Sequence, residues 1–427
     1  MAELVTASYA YDVDRSDPFA PGRLPGAVPA PGRRQRPWVR RLVWGLVLGM
    51  LALTFFGVWM MAIRPLGFGS SLVAFTAALV PVAIVLTAVW WIDRYTPQPR
   101  ITLVYAFAWG AAASVALSLV IGSVVMLLLS EPQGGRGSAD FLGAVVQAPL
   151  VEESAKSAGV VLLLLWGRRF LSTPIDGVVY ATLAAAGFAF TENILYFGES
   201  FAQAQAVGEA DVFWRTFVLR GLLSPFAHAC FTSLCGLGLG LGMARRSIPL
   251  TVGLGLIGLC TGMGLHALWN SAAFLLDLDP ERPVESFLRY YLIVQVPIFL
   301  TIAGIVITLR LRERRIVRRR LAEYGRAGWF SPQEVDTMVA LRGRRRAEKW
   351  AARHGAIARI GMHDLIRSSV ELAVERESAL HGRITPRIRA RERELLERIT
   401  ADRRLVSALA RSVVPGRPRA GEGAATR

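Results

Sequence analysis

The sequence predicts an all-α, polytopic membrane bundle of about eight transmembrane helices with a small cytosolic helical tail. Three observations lead there. Hydrophobic residues make up 53% of the 427-residue chain, with a mean hydropathy of +0.40. They gather into stretches of roughly 20 residues or more, the length needed to cross a bilayer core about 30 Å thick. The arginines between those stretches also alternate, abundant in every second loop and sparse in the others.

The spans expected from hydropathy are Leu42–Ile63, Ser70–Ile92, Ile101–Leu129, Phe141–Trp166, Ile175–Phe197, Leu222–Met243, Leu250–Leu276 and Leu288–Leu309. Residues 1–37, rich in Pro, Gly and Arg and lacking an apolar core, read as a disordered cytoplasmic leader. Arg33, Arg34, Arg36, Arg40 and Arg41 precede the first span. Arg94 and Arg100 lie in the second loop, Arg168 and Arg169 in the fourth, Arg245 and Arg246 in the sixth. The third, fifth and seventh loops are mixed or acidic, with Glu131 and Asp140, then Glu199, Glu209 and Asp211, then Asp277, Asp279, Glu281 and Glu285. The asymmetry predicts both termini in the cytoplasm, and eight spans satisfy that alternation. Arg215 and Arg220, on the run-up to the sixth span, are assigned to the outer interface, with the span itself starting near Leu222.

From Arg310 onward, 29 Lys and Arg face 14 Asp and Glu, so +15 of the net +17 lies in the tail. Beside a membrane, anionic lipid is the expected partner of such a tail, and no nucleic acid is expected. The capping box Ser331-Pro-Gln-Glu334 predicts a helix through about Trp350, and spaced Leu, Ile and Val predict two more near Ala356–Leu380 and Pro386–Val413. The expected organisation is therefore leader 1–37, membrane domain 38–310, basic helical tail 311–413 and disordered end 414–427. Cys230, Cys235 and Cys260 all fall in apolar stretches without CxxC spacing, so they read as buried small hydrophobes.

Ionisable groups within hydrocarbon cost several kcal/mol each, so their retention points to function. The fourth span holds Glu152, Glu153 and Lys156, the fifth Glu192 with Asn193, the sixth His228, and the seventh His266 with Asn270. At about 1.5 Å per residue, Glu152, Glu192, His228 and His266 all lie roughly 9–16 Å below the outer ends of their spans. Four helices supplying polar groups at one level predict one shared site opening outward. Lys156 is placed to meet Glu152 or Glu153 on one helical face. Only one other lysine, Lys349, occurs in the chain, so an ammonium here suggests a compact, specific partner. Phe188, one turn before Glu192, is expected to back that carboxyl.

Two imidazoles with carboxylates suit Zn²⁺ with an open position for water, the expected ligands being His228, His266 and Glu192. Glu152 or Glu153 would then act as general base, Asn270 would steady an oxyanion and Lys156 would tune the glutamate pair. A metal-free Glu–His route uses the same groups. HExxH, GxSxG and Ser–Lys signatures are absent, leaving zincin, rhomboid-type and signal-peptidase chemistry without support.

Between Trp90 and Phe274 the chain resembles the PrsW family of intramembrane proteases, within the superfamily of type II CAAX prenyl endopeptidases. The resemblance rests on Trp91-Ile-Asp93-Arg94-Tyr95-Thr-Pro97, Glu152-Glu153-Ser-Ala-Lys156, Phe188-Ala-Phe-Thr-Glu192-Asn193, His228-Ala-Cys-Phe231 and His266-Ala-Leu-Trp269-Asn270, in that order. It implies site-specific hydrolysis of a membrane-anchored substrate, with an anti-sigma factor as the type example, cut near the outer face of a bacterial plasma membrane. It carries over Glu152, Glu153, Glu192, His228, His266 and Asn270 as the site. Where the CAAX branch has FxxxH this chain has Phe188…Glu192, so prenylated substrates are not implied. Two other classes use the same residues: a proton- or cation-coupled transporter, which would need polar groups continuing to the cytoplasmic side, and a non-catalytic membrane scaffold. The inner halves of these spans are Leu, Ala, Gly and Val, against the transporter.

Overall fold

The computed structural model describes residues 37–129, 140–167, 170–275, 283–380 and 386–412. The leader, the extreme C-terminus and most of the acidic third and seventh loops, with Arg168 and Arg169, lie outside the described residues. Among those that are described there is helix and no strand. The chain divides into two compact units, one of Pro31–Arg310 and one built on Leu311–Arg427.

The first unit begins with one helical run, Pro37–Asp93, kinked at Gly67, whose φ of 77° suits a residue without Cβ. The run contains two spans, α1 (Trp38–Met61) and α2 (Ile63–Asp93). Then follow α3 (100–129), α4 (140–166), α5 (Pro174–Val207), α6 (211–223), α7 (Ala227–Ala244), α8 (Ile248–Leu275) and α9 (283–326), of which residues up to Arg310 belong to this unit. Among the described residues seven helical stretches are long and apolar enough to cross a membrane, with α6 and α7 together forming one of them, Asp211–Ala244. Helix α4 has the length but carries Glu152, Glu153 and Lys156 mid-way. The stretch through α6 starts well before Leu222, so Arg220 lies within it.

Helix α5 is the central post, with 83% of its most apolar window buried, against 17% for α1. Its first turn is fixed by Thr173 and Asp176 in a reciprocal capping box. Asp176 also accepts from Gln98 Nε2 at 2.7 Å, and Gln98 Oε1 accepts from Tyr180 at 3.0 Å, tying the Asp93–Pro99 turn to the post. Close backbone approach sets the neighbours. A Cβ built on Gly177 would lie 1.9 Å from the Gly236 carbonyl oxygen, and one on Gly258 would lie 2.1 Å from that of Leu234. Small residues thus bring α5 against α7 and α7 against α8, as lipid-embedded helices require.

Several helices are locally wound as π-helix: Trp109–Ser114, Leu142–Gln147, Phe217–Leu223 and Tyr291–Gln295. In three of these segments a side chain from elsewhere takes up a carbonyl. Thr191 donates to Ala111 O at 2.7 Å, Asn270 to Ala144 O at 2.8 Å and Tyr291 to Leu223 O at 2.7 Å. Such bulges shift the phase of a helix and are common beside functional sites.

In the second unit, Ser331 and Glu334 form the expected capping box. The single helix expected through Trp350 is instead two, α10 (Pro332–Val339) and α11 (Leu341–Ala352), parted at extended Ala340. The break turns Arg344 back so that its Nε donates to Met338 O at 2.5 Å. Helices α12 (Ala356–Leu380) and α13 (Pro386–Ser412) complete the unit around buried Val335, Met338, Leu365, Leu372, Leu395 and Ile399. Cys230 and Cys235 are buried, but Cys260 is exposed, on a face of α8 with room for lipid.

Candidate active site

Glu153 and Lys156 are both on the inward face of α4, 1% and 0% exposed. Lys156 Nζ lies 2.6 Å from Glu153 Oε1, 3.5 Å from Glu152 Oε2 and 3.2 Å from His228 Nδ1. An ammonium has three donors, and three acceptors surround this one. The Phe188 ring covers the remaining side, 4.3 Å from Nζ. Phe188 thus packs against the lysine and the His228 ring.

Glu153 is equally saturated. Besides Lys156 it accepts from Thr232 Oγ1 at 2.7 Å and meets His266 Nδ1 at 3.0 Å. Because a carboxylate only accepts, Nδ1 of His266 carries the proton, and Nε2 is left facing Glu152 Oε2 at 3.9 Å. The His266 ring stacks on Phe231 with centroids 5.1 Å apart, which fixes its plane. Glu192 makes the equivalent contact to the second imidazole: its Oε2 lies 2.9 Å from His228 Nε2. The two rings meet edge to face at 5.2 Å.

The structure thus brings Glu152, Glu153, Lys156, Glu192, His228 and His266 into one contiguous cluster from four helices. Asn270 is placed differently, its amide nitrogen held by Ala144 O in the π-wound start of α4. Asn193 faces Arg220, whose Nε donates to its Oδ1 at 3.2 Å. Arg220 also reaches Glu192 Oε2 at 2.6 Å and was not singled out among the sequence candidates. Grouping it with Arg215 hid it, yet an arginine inside the apolar stretch Phe217–Leu223 carries the same signal as a buried carboxylate. Arg215, by contrast, is 71% exposed and paired with Asp211. Thr232 had no sequence signal, since a hydroxyl in a span is ordinary.

Glu152, His228 and His266 can each offer one ligand atom, all within 4.8 Å of one another. One carboxylate and two imidazoles suit a zinc-like ion. Each histidine also has a carboxylate on one ring nitrogen, Glu153 for His266 and Glu192 for His228, which is how metal-binding imidazoles are usually oriented. Glu152 and His266 Nε2 fit such an ion as they stand, whereas His228, with Glu192 on Nε2 and Lys156 Nζ on Nδ1, would release the ammonium to join them.

Residues 98–302, which hold every side chain of this cluster, match the model of the family described as PrsW family intramembrane metalloprotease. Over that segment, a little under half of the chain, the protein is similar to the PrsW family. Protease PrsW of Clostridioides difficile (strain 630) is 31% identical to this chain over 166 residues, 38% of this chain and 63% of that protein. The chain thus spans a little under two thirds of the length of this curated relative. No solved structure matches. The two stretches outside the match include α1, all of α2 and the whole tail unit.

Proposed function

We propose that the chain is an intramembrane peptidase that hydrolyses a peptide bond of a membrane-anchored protein. The observation that carries this reading is the division of labour between adjacent glutamates. Glu153 is buried and saturated by three donors, so it orients; Glu152 keeps 13% side-chain exposure beside His266 Nε2, so it acts. In the metal-free route Glu152 takes the proton of the attacking water, and His266 and His228 flank the reacting carbon. Lys156 offsets the negative charge of the pair. One Asn270 N–H is held by Ala144 O, and the second is the donor assigned to the developing oxyanion.

Where a divalent ion is held, Glu152, His228 and His266 are the residues that hold it, in place of the His228, His266 and Glu192 set first expected. Bound there, such an ion lowers the pKa of water and polarises a carbonyl. Glu192 then orients His228, as Glu153 orients His266.

The supporting frame is a plasma-membrane protein of eight spans, with α4 as the polar one and both termini in the cytoplasm. The cut falls near the outer face, in a substrate of anti-sigma-factor type. Several tail arginines, Arg312, Arg314 and Arg315 among them, are exposed and suit anionic lipid.

The test is cleavage of a panel of tagged single-span membrane proteins co-reconstituted in liposomes with the wild type, Glu152→Gln or His266→Ala. Fragments from the wild type and none from either variant are expected. Fragments persisting in both variants would remove this cluster as the site. Loss of cleavage with a chelator, restored by Zn²⁺, separates the metal route from the metal-free one.

A further inference from the structure

The buried cluster is short of positive charge. Glu152, Glu153 and Glu192 bring three carboxylates, and Lys156 supplies one ammonium within the same helices. The second cation comes from Arg220, in the π-wound segment Phe217–Leu223 that leads into α7. Its guanidinium has an unusually complete seat on one face of α5. Its Nη2 reaches Glu192 Oε2 at 2.6 Å, Nε donates to Asn193 Oδ1 at 3.2 Å, and its centre lies 3.8 Å from the middle of the Tyr196 ring. Glu192 and Tyr196 are one helical turn apart, so a planar fork lying along α5 meets the acid, the amide and the ring together. Side-chain exposures of 26% for Arg220 and 17% for Glu192 put the pair at the rim of the cluster.

The consequence runs through one oxygen. Glu192 Oε2 receives Arg220 from one side and His228 Nε2, at 2.9 Å, from the other. A carboxylate free to rotate would offer His228 either oxygen or neither. Held by the guanidinium, it presents a fixed acceptor, so Nε2 keeps the proton and Nδ1 is turned inward to the Lys156 side, 3.2 Å from Nζ. We infer that Arg220 is a positioning residue: it fixes Glu192 and, through Glu192, sets the tautomer and ring orientation of His228. The inference rests on the peptidase reading only for its effect on rate; the effect on His228 stands without it.

The residue acts at one remove from the reacting atoms, so its loss resembles loss of an outer-shell partner, a fall of roughly 10- to 100-fold in kcat with KM little changed. The same logic makes Arg220 and Glu192 non-additive. Once Glu192 is neutral, removing the arginine takes away nothing further.

The experiment uses the full-length chain in nanodiscs, uniformly labelled at the imidazole nitrogens of its five histidines, with His228 assigned from a His228→Gln sample. Wild type, Arg220→Ala, Glu192→Gln and the double variant are compared by ¹⁵N spectra, thermal melting and the liposome cleavage assay. The expected result is a single Nε2–H tautomer for His228 in the wild type and a mixture in each variant. The double variant should match Glu192→Gln in both spectrum and kcat. An Arg220→Ala spectrum with His228 unchanged, while Glu192→Gln alters it, overturns the inference. So does a double variant that is about tenfold slower than Glu192→Gln. Should Arg220→Ala fail to melt cooperatively, Arg220→Gln, which keeps bulk and a donor but no charge, takes its place with the same expectation. Absence of cleavage by the wild type counts against the peptidase reading alone, since the His228 spectrum is read without it.

Discussion

Glu153 and His266 meet through Oε1 and Nδ1 at 3.0 Å, in a place where the carboxylate is 1% exposed and also holds Lys156 and Thr232. This contact decides which of two adjacent glutamates is structural. Glu153→Gln removes the charge that balances a fully buried ammonium, and breaking one partner of a buried pair costs about 3–5 kcal/mol. Glu152→Gln leaves that pair intact at a more exposed position. Thermal melting of the two variants in detergent is expected to separate them, with a clear drop for Glu153→Gln and a near-wild-type transition for Glu152→Gln. Both should be inactive. Equal melting transitions would show that the pair carries no folding role.

Lys156 allows a second discrimination. Its three acceptors sit around one nitrogen, and the Phe188 ring closes the fourth side. Arginine keeps the charge but needs a flat, wider space that a side chain 0% exposed does not have. Lys156→Arg is therefore expected to lower stability by about 1–3 kcal/mol, as overpacking does. Lys156→Met fits the volume but leaves Glu153 uncompensated, and a loss at least as large is expected. A stable, active Lys156→Arg protein would mean that only charge matters at this position.

The metal question has its own readout. With Glu152, His228 and His266 as the donor set, zinc content of the purified protein should fall to background in His228→Ala and His266→Ala. Glu192→Gln should retain the ion with weakened affinity, by roughly 10- to 100-fold, as expected for an outer-shell carboxylate. Glu192→Gln losing zinc as completely as His266→Ala would return Glu192 to the ligand set. Elemental analysis after dialysis against a defined zinc buffer distinguishes the cases.

The helices and the polar residues that matter were legible in the sequence for one reason: hydrocarbon tolerates few exceptions. A 20-residue apolar run has to be a helix, and a Glu or His inside it stands out against Leu and Val. Hydropathy could not say which partner each polar group would choose. Glu153 and Glu152 are neighbours in sequence, and their different roles follow from Thr232 and His266 arriving from α7 and α8. Nor could it foresee Asn270 turning to Ala144, because the carbonyl it meets belongs to a π-wound segment that no composition rule marks. Arg220 was misread for a different reason. Arginine near an apparent span end is normally interfacial, and only the Glu192–Asn193–Tyr196 face of α5 makes this one part of the cluster. The split of the expected tail helix at Ala340 goes with a local contact that hydropathy does not mark, Arg344 Nε donating to Met338 O.

The last prediction concerns the frame that holds the histidines in place. A Cβ on Gly236 would lie 2.1 Å from the Gly177 carbonyl oxygen and 2.6 Å from the Ala181 Cβ, and neither atom is the end of a flexible side chain. Gly236→Leu must therefore separate α5 from α7, and with them Glu192 from His228, now 2.9 Å apart. Overpacking typically costs about 1–3 kcal/mol, and a backbone-to-backbone contact leaves the least room to relax. Gly253, on α8, has nothing within 4 Å of its added Cβ, and alanine there is expected to leave melting and cleavage unchanged. Gly236→Leu should lower the melting transition and abolish cleavage, whereas Gly236→Ala should do so partially. Full activity in Gly236→Leu would mean that the two helices can part without disturbing the cluster, and that the site tolerates a looser bundle than this packing implies.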